Sequence, residues 1–297
     1  MLFSQAAGRF LEHCRSALTL SLHTLRAYDG DLQKAANFWP KKHLRQIDKE
    51  DLRRYIRHQR EVDAAKESSI KRRIATLKLL FRWAVQESCL DSNPFDKLNE
   101  RIRLPRRLPR ALDRDDAQQL KKQLLRHYKS DDHDTVCRKT AIHLLLETGV
   151  RVSELTSIRV EDLSLSDCSI KIHGKGNRQR MVYFLSPELG RNLRSYLERR
   201  QQLQSPAEHL LLLRHGHPLT PPKVRTWLRE AAQNAGISRR VTPHMLRHTC
   251  ATHWLAAGLD IRFVQKLLGH HSIATTEIYT HVSDQGLKEA LRRVGDN

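Results

Sequence analysis

One stretch, RIRLPRRLPR at residues 101–110, limits what the rest of the chain can become: it holds five arginines, two prolines and no acidic residue. Proline fixes φ and removes the backbone N–H that a helix or sheet interior needs. The composition therefore predicts extended chain, an interdomain linker over residues 101–112. The linker separates residues 1–100 from residues 113–297 of a 297-residue chain, each part long enough for its own core. A plain basic hinge and a strap lying along a phosphate backbone both fit this composition.

The excess of positive charge is not confined to the linker. Lys and Arg number 53 against 33 Asp and Glu, a formal net charge of +20. An excess of that size points to a polyanionic partner, nucleic acid first; the alternative is a solvated basic surface with no partner. Hydrophobic residues at 39% with 29% charged fit folded domains with charged surfaces rather than disorder. Cys14, Cys89, Cys137, Cys168 and Cys250 are scattered and never form a CxxC pair, so reduced thiols are expected, without a disulfide frame or zinc site. The start, MLFSQAAGRFLEHC, lacks the pattern of a signal peptide. No apolar run approaches the roughly 18–20 residues of a membrane span. A cytoplasmic protein without a membrane partner is expected.

Residues 1–100 read as a compact bundle of about four helices. Leu22, Leu25, Tyr28, Leu32, Ala35 and Phe38 or Trp39 recur at helical spacing. Asp48 is placed to cap a second helix, and a third begins near Ser68 with Ile70, Ile74, Leu77, Phe81 and Val85 as its buried stripe. Asn93-Pro94 is expected to close it, because the residue before a proline avoids helical geometry. Lys71, Arg72, Arg73, Lys78 and Arg82 fall on the other faces. Lys71, Arg72 and Arg73, with Arg106 and Arg107 of the linker, are candidate phosphate contacts, which position a protein on DNA without reading sequence. An ordinary charged solvent face is the competing reading for each.

In residues 113–297 a capped helix is expected over 113–127 with Leu120 and Leu124 inward, and another over 140–148 stopped by Gly149. Arg151 follows directly. Such an arginine is either aimed rigidly into a site or salt-bridged for structure, and Glu154, one turn on, is a carboxylate that would orient it. SIKIHGKGNRQRMVYFL alternates on both sides of Gly174-Lys175-Gly176-Asn177, the pattern of a β-hairpin with Lys175 in its turn. Lys175 either reaches a ligand or keeps the turn soluble. The GKG is not a phosphate-binding P-loop, because the upstream glycine and the following Ser or Thr are missing. Ser186-Pro187 starts a helix through Arg200, Leu210–Leu213 form a short buried segment, and Thr220-Pro221-Pro222 caps another helix. Lys223 and Arg225 in that helix are further candidate phosphate contacts.

Thr242-Pro243 caps a helix running to Gly258. Residues 244, 247, 248 and 251 share one face; Leu246, Cys250, Trp254 and Ala257 share another, expected to be core. Asp260 starts a short helix ended by Gly269, leaving His270 at its edge; Ser272 caps the next, where Thr275 and Tyr279 are four apart. His244 and His248 stand at i, i+4, but no acidic partner completes HExxH and no cysteine pair stands nearby, so neither a metal nor any other cofactor is expected. GxSxG is absent, which excludes a serine hydrolase of that kind. What remains is a set suited to phosphodiester chemistry. Arg151 and Arg247 match phosphate oxygens as guanidinium forks, His270 is a further hydrogen-bond donor, Tyr279 a hydroxyl nucleophile, and His244 a proton acceptor.

With these residues in hand the chain resembles the tyrosine recombinases, or phage-type integrases, most closely those of Xer type, over essentially its full length. The family's Arg–Lys–His–Arg–His–Tyr set falls on Arg151 in TGVRVSEL, Lys175 in GKGNRQR, His244 and Arg247 in HMLRHT, His270 in LLGHHS and Tyr279 in TTEIYTHV. His270 rather than His271 takes the fifth place because it directly follows LLG. The resemblance implies a mainly α protein: a SAM-like, core-binding helical bundle, then a mostly helical α+β catalytic domain with a small antiparallel sheet. It also implies a covalent 3′-phosphotyrosyl intermediate, with Lys175 protonating the leaving oxygen. The partner it implies is double-stranded DNA at specific recombination sites, bound by a homo-tetramer, or by a hetero-tetramer with a partner recombinase, that exchanges strands through a four-way junction. After Tyr279, Leu287, Ala290, Leu291 and Val294 form a stripe that packs on its own domain or docks on a neighbouring subunit. A type IB topoisomerase and a non-cutting architectural DNA-binding protein are the competing functions.

Overall fold

The computed structural model describes residues 1–18, 20–98, 111–125, 132–174, 178–270, 272 and 276. The expected linker contacts Arg106 and Arg107, the hairpin residue Lys175, His271, Tyr279 and the tail stripe lie outside the described residues. The chain divides into two compact units, Met1–Arg106 and Arg107–Asn297.

The first unit is built from helices α1 (Phe3–Ser16), α2 (Leu22–Phe38), α3 (Lys49–Glu61) and α4 (Glu67–Gln86), with short 3-10 turns at Leu44–Gln46 and Pro94–Lys97. Local chemistry explains two of the starts. Ser21 Oγ accepts from the Thr24 N–H at 3.2 Å, and Asp48 Oδ1 accepts from the N–H groups of Glu50 and Asp51, both at 2.9 Å. Phe3, Leu32, Leu52, Tyr55, Leu77 and Phe81 fill the core, and the α4 stripe of Ile70, Ile74, Leu77 and Phe81 is buried as its spacing predicts. Leu22, by contrast, is exposed at the first position of α2. α1 is an element the sequence analysis does not place, although Phe3, Ala7, Phe10 and Cys14 recur on one buried face.

The expected closing of α4 at Asn93-Pro94 is corrected. The helix ends at Gln86, where Ser88 turns left-handed (φ 54°) and the Cys89 N–H reaches back to the Ala84 carbonyl at 2.8 Å. That reach satisfies an end carbonyl in the manner of a Schellman turn. Asn93 instead opens the Pro94–Lys97 turn, its Oδ1 accepting from the Phe95 N–H at 3.0 Å.

The second unit packs around α6 (His133–Thr148), whose Cys137, Ala141, Ile142, Leu144 and Leu145 are buried. α6 starts seven residues before the predicted 140, because Asp132 caps it by accepting from the Thr135 N–H at 2.7 Å. α5 (Arg114–Leu125) precedes it with Leu120 and Leu124 inward; α7 (Val152–Ser157) follows Gly149. A three-stranded antiparallel sheet comes next, in the order β1 (Leu163–Ser164), β2 (Ser169–His173), β3 (Gln179–Tyr183). Pairs Ile170–Val182 and Ile172–Arg180 set the β2–β3 register. α8 (Pro187–Gln201), α9 (Pro221–Asn234), α10 (Pro243–Ala256) and α11 (Ile261–Leu268) complete the described elements. Ser186 and Thr242 cap α8 and α10 through their hydroxyls, whereas Thr220 stands at the N-cap of α9 without a side-chain capping bond.

α10 departs from its expected two-faced pattern. Arg247, His248 and Ala251 are buried along with Leu246 and Cys250, while Ala257, past the helix end, is exposed. The helix packs between α6 and α11, so Arg247, His248 and Ala251 on one face lose contact with water as Leu246 and Cys250 on the other do, while His244 at its start stays exposed.

Gly149 is where geometry leaves least freedom. Its φ is +60°, and an added Cβ would meet Leu268 Cδ2 at 3.1 Å and Cys250 Sγ at 3.3 Å. Gly149→Ala is expected to lower stability by about 2 kcal/mol, from the left-handed backbone and the displaced leucine together. A denaturant midpoint unchanged from wild type would contradict this.

Candidate active site

The end of α11 organises the site. A helix leaves its last carbonyls without intrahelical partners and its C-terminus partly negative. Gly269, in the left-handed conformation (φ 65°), turns the chain away and leaves these carbonyls accessible. Each of three successive carbonyls then accepts from a different arginine. Arg180 Nε donates to Leu267 O at 2.7 Å, Arg247 Nη2 to Leu268 O at 2.6 Å, and Arg151 Nη2 to Gly269 O at 3.5 Å. Arg247 Nη1 also donates to Gly149 O, at 2.7 Å, so this buried guanidinium spans the C-terminal ends of α6 and α11.

The three arginines come from distant places in the sequence. Arg151 is the N-cap of α7, Arg180 lies on β3, and Arg247 on α10. Glu154 ties two of them together. It accepts from Arg151 Nη1 at 2.7 Å and from the Arg151 backbone N–H at 2.8 Å, as the sequence spacing predicts. Its two oxygens also take a fork from Arg180, at 3.0 and 2.7 Å. Burial opposes ionisation of Glu154, but the hydrogen bonds from Arg180 and Arg151 and the charge of Arg180 outweigh it and hold the carboxyl at about 2.

His270 is the next residue after Gly269. Burial, then the positive charges of Arg247, Arg151 and Arg180, against a smaller opposing pull from Glu154, hold its pKa down to about 4. It is therefore neutral at pH 7 in the folded protein. Its Nδ1 lies 3.0 Å from Thr276 Oγ1. His244 stands one turn before Arg247, exposed in the first turn of α10.

Arg151, Arg247 and His270 are thus brought together, and His244 shares a helix with Arg247. The candidate phosphate contacts divide. Lys71 and Arg72 are exposed on α4, although Arg72 also donates to Asp31 Oδ2 at 2.6 Å. Arg73 is corrected as a surface cation. It is buried at 9% exposure, bonded to Gln59 Oε1 and near Asp63, because the α4 turn it occupies faces α3. Lys223 and Arg225 are exposed in the first turn of α9, with Lys223 Nζ 5.5 Å from the centre of the Trp227 ring. Among the described residues no group of three or more His, Cys, Asp or Glu is placed to hold a metal ion, and no helix is long and apolar enough to cross a membrane.

Arg180 and Thr276 were not singled out from sequence. A signal existed for Arg180: the β3 alternation that turns Met181 and Tyr183 outward and buries Val182 and Phe184 places Arg180 on the inner face. A charge there needs a buried partner. For Thr276 no local pattern distinguishes it from its neighbour.

Comparison with known proteins agrees across the chain. Residues 111–286 match the phage integrase family, and residues 7–88 match the phage integrase N-terminal SAM-like domain. The chain is 34% identical over 296 residues to the tyrosine recombinase XerC of Anoxybacillus flavithermus, covering 94% of this chain and 93% of the relative. It is 31% identical over 288 residues to the tyrosine recombinase XerD of Halalkalibacterium halodurans, covering 95% and 94%. Its fold resembles that of the XerH site-specific recombinase bound to palindromic difH substrate, with a TM-score of 0.80 at 22% identity over 97% of this chain and 84% of that one.

Two outcomes follow from the charges. Glu154→Gln leaves two guanidiniums without their buried carboxylate and is expected to cost about 3 kcal/mol at pH 7. The Glu154 carboxyl sits at about 2 rather than the ordinary 4.5, so its stabilisation is complete above pH 4.5 and is lost as pH falls through 2. The stability gap between wild type and Glu154→Gln should therefore narrow over that window in denaturant unfolding; a gap independent of pH would argue against the ion pairs. His270 has the opposite sense. Below pH 6.5 the unfolded chain takes up its proton while the folded protein does so only near 4, so wild type loses stability as pH falls from 6.5 to 4. His270→Gln should lose less over that range in thermal melting, and an identical acid slope would count against it.

Proposed function

Because the chain belongs to the phage integrase family of tyrosine recombinases and is a site-specific recombinase that cleaves and rejoins DNA, we propose that the arginine and histidine cluster at the end of α11 binds the scissile phosphate and that Tyr279 attacks it. The observation that carries this reading is the convergence of Arg151, Arg180 and Arg247 on three successive carbonyls beside His270, with Glu154 bonded to two of them. Guanidinium groups held rigidly, with their planes set by protein carbonyls, are preorganised for the charge that builds on a phosphodiester during attack.

In the proposed step, Tyr279 Oη forms a bond to phosphorus as its proton passes to His244. The bond to the 5′ oxygen breaks, and that oxygen takes a proton from Lys175. Arg151 and Arg247 hold the non-bridging oxygens, with His270 as a third donor. The product is a 3′-phosphotyrosyl linkage and a free 5′ hydroxyl. A 5′ hydroxyl from the other site then attacks the linkage and releases the tyrosine. The covalent link conserves the bond energy, so religation consumes neither a metal ion nor ATP.

Residues 1–100 and the basic linker 101–112 serve as the DNA grip in front of the catalytic domain 113–297. Lys71, Arg72, Arg106 and Arg107 are its phosphate contacts, Lys223 and Arg225 are those of the catalytic domain, and the field of the +20 chain draws the protein to DNA. The substrate is double-stranded DNA carrying two recombination sites, bound by a tetramer that passes through a four-way junction. The family resemblance, the similarity to XerC and XerD and the fold shared with a recombinase bound to its difH substrate support this assembly. Its place of action is the cytoplasm, at the nucleoid.

The reading is tested by trapping protein on nicked duplexes that carry its recombination site. Wild type should form a covalent, protease-sensitive adduct on the 3′ side of the break; Tyr279→Phe should form none. Arg247→Ala should slow its formation by roughly 100-fold or more. An adduct formed by Tyr279→Phe, or none formed by wild type, sinks the proposal.

A further inference from the structure

Thr276 is fully buried and lies three residues before Tyr279. A hydroxyl in that setting needs a partner, and Thr276 Oγ1 lies 3.0 Å from His270 Nδ1. The His270 backbone is pinned on both sides by Gln265. The His270 N–H donates to the Gln265 carbonyl at 3.1 Å, and the His270 carbonyl accepts from Gln265 Nε2 at 3.1 Å. With the backbone held, ring orientation and tautomer are the freedoms left to set.

The tautomer matters because burial, together with the arginines around it, keeps His270 neutral. A neutral imidazole has one N–H and one bare nitrogen, and the hydrogen bond at one nitrogen decides what the other can do. Where a histidine serves as a base, a carboxylate or carbonyl usually faces Nδ1. Such acceptor-only partners keep the proton on Nδ1 and leave Nε2 bare. A phosphate oxygen requires the reverse, a proton on Nε2 and hence a donor facing Nδ1. A hydroxyl can supply that donor; a carboxylate cannot.

We propose that Thr276 is a positioning residue of the recombination site, its hydroxyl donating to His270 Nδ1 and so holding the imidazole as the Nε2–H tautomer that donates to a non-bridging phosphate oxygen. This inference rests on the reading of His270 as a phosphate ligand. It also links the ligand to the nucleophile. Thr276 and Tyr279 are three residues apart in the chain, so at most about 11 Å of backbone separates them.

The test measures single-turnover covalent-complex formation on a nicked duplex at saturating DNA. Thr276→Val keeps the shape and removes the hydroxyl; it should slow cleavage by about tenfold with DNA affinity unchanged. Thr276→Ser keeps the hydroxyl and should restore the rate to within about threefold of wild type. In a His270→Ala background, Thr276→Val should add nothing, since the residue acts through the histidine. The 15N resonances of His270 should report the Nε2–H form in wild type on DNA and a changed tautomer balance in Thr276→Val. Wild-type cleavage by Thr276→Val overturns the inference, as does a Thr276→Ser variant as slow as Thr276→Val. The same slowing in the His270→Ala background also overturns it. If His270→Ala itself cleaves at the wild-type rate, the underlying reading of His270 fails first; if His270→Ala is slow and Thr276→Val is not, only the positioning role fails.

Discussion

The catalytic unit depends on the unfinished hydrogen bonding at the end of α11. Leu267, Leu268 and Gly269 each offer a carbonyl that the helix cannot satisfy, and each is taken by an arginine from a different element. The helix end gains hydrogen-bond donors and the arginines gain partners in a setting where unpaired charge is costly. Neither side is stable in that arrangement without the other. Gly269 makes it possible, because its left-handed turn carries the chain away from the carbonyls and leaves room for Arg180, which a Cβ at that position would meet at 3.1 Å.

Rigidity has an electrostatic cost that shapes the rest of the site. Burial first, and then the repulsion of three guanidiniums at one helix end, disfavour a fourth positive charge, and the depressed pKa of His270 registers both. The arrangement thereby yields a neutral histidine that still offers an N–H. Glu154 offsets part of the excess and also fixes the plane of Arg151, but it is ligated on both oxygens and does not titrate near neutrality. The cluster therefore keeps its charge across the physiological range.

Much of this was legible in the sequence because much of it is local. Asp48, Ser186, Thr242 and Asp260 cap helices by bonding N–H groups two or three residues away, and Gly149 and Gly269 stop helices by conformations that only their own φ decides. The Arg151–Glu154 pair is likewise a matter of three residues. Arg180 depends on Glu154, 26 positions earlier, and on Leu267, 87 positions later, so no local spacing reveals its partners. Its presence on the inner face of β3 was nonetheless readable from the alternation. The missed α1 and the misplaced end of α4 have different causes. The α1 stripe is plain in Phe3, Ala7, Phe10 and Cys14, whereas the left-handed Ser88 that ends α4 is not a residue whose type announces that conformation.

Arg73 shows why net charge overstates the surface that meets DNA. Several arginines in this chain are internal fastenings. Arg200 donates to the carbonyls of Ala207, His209 and Leu210, and Arg239 binds Ala111 O, Asp113 and Asp116 where the chain enters α5. Arg73 joins α4 to Gln59 of α3. A guanidinium suits this use because its five donors spread in a plane that several carbonyls can share, which a lysine ammonium cannot match. Each of these arginines still contributes to the long-range field that steers the protein toward a polyanion, but none can turn outward without abandoning bonds that hold the fold. The field therefore belongs to the whole composition. Lys71, Lys223 and Arg225 instead stand exposed at helix surfaces, where meeting a polyanion breaks none of these bonds, while the arginines at the end of α11 are held in place by its carbonyls.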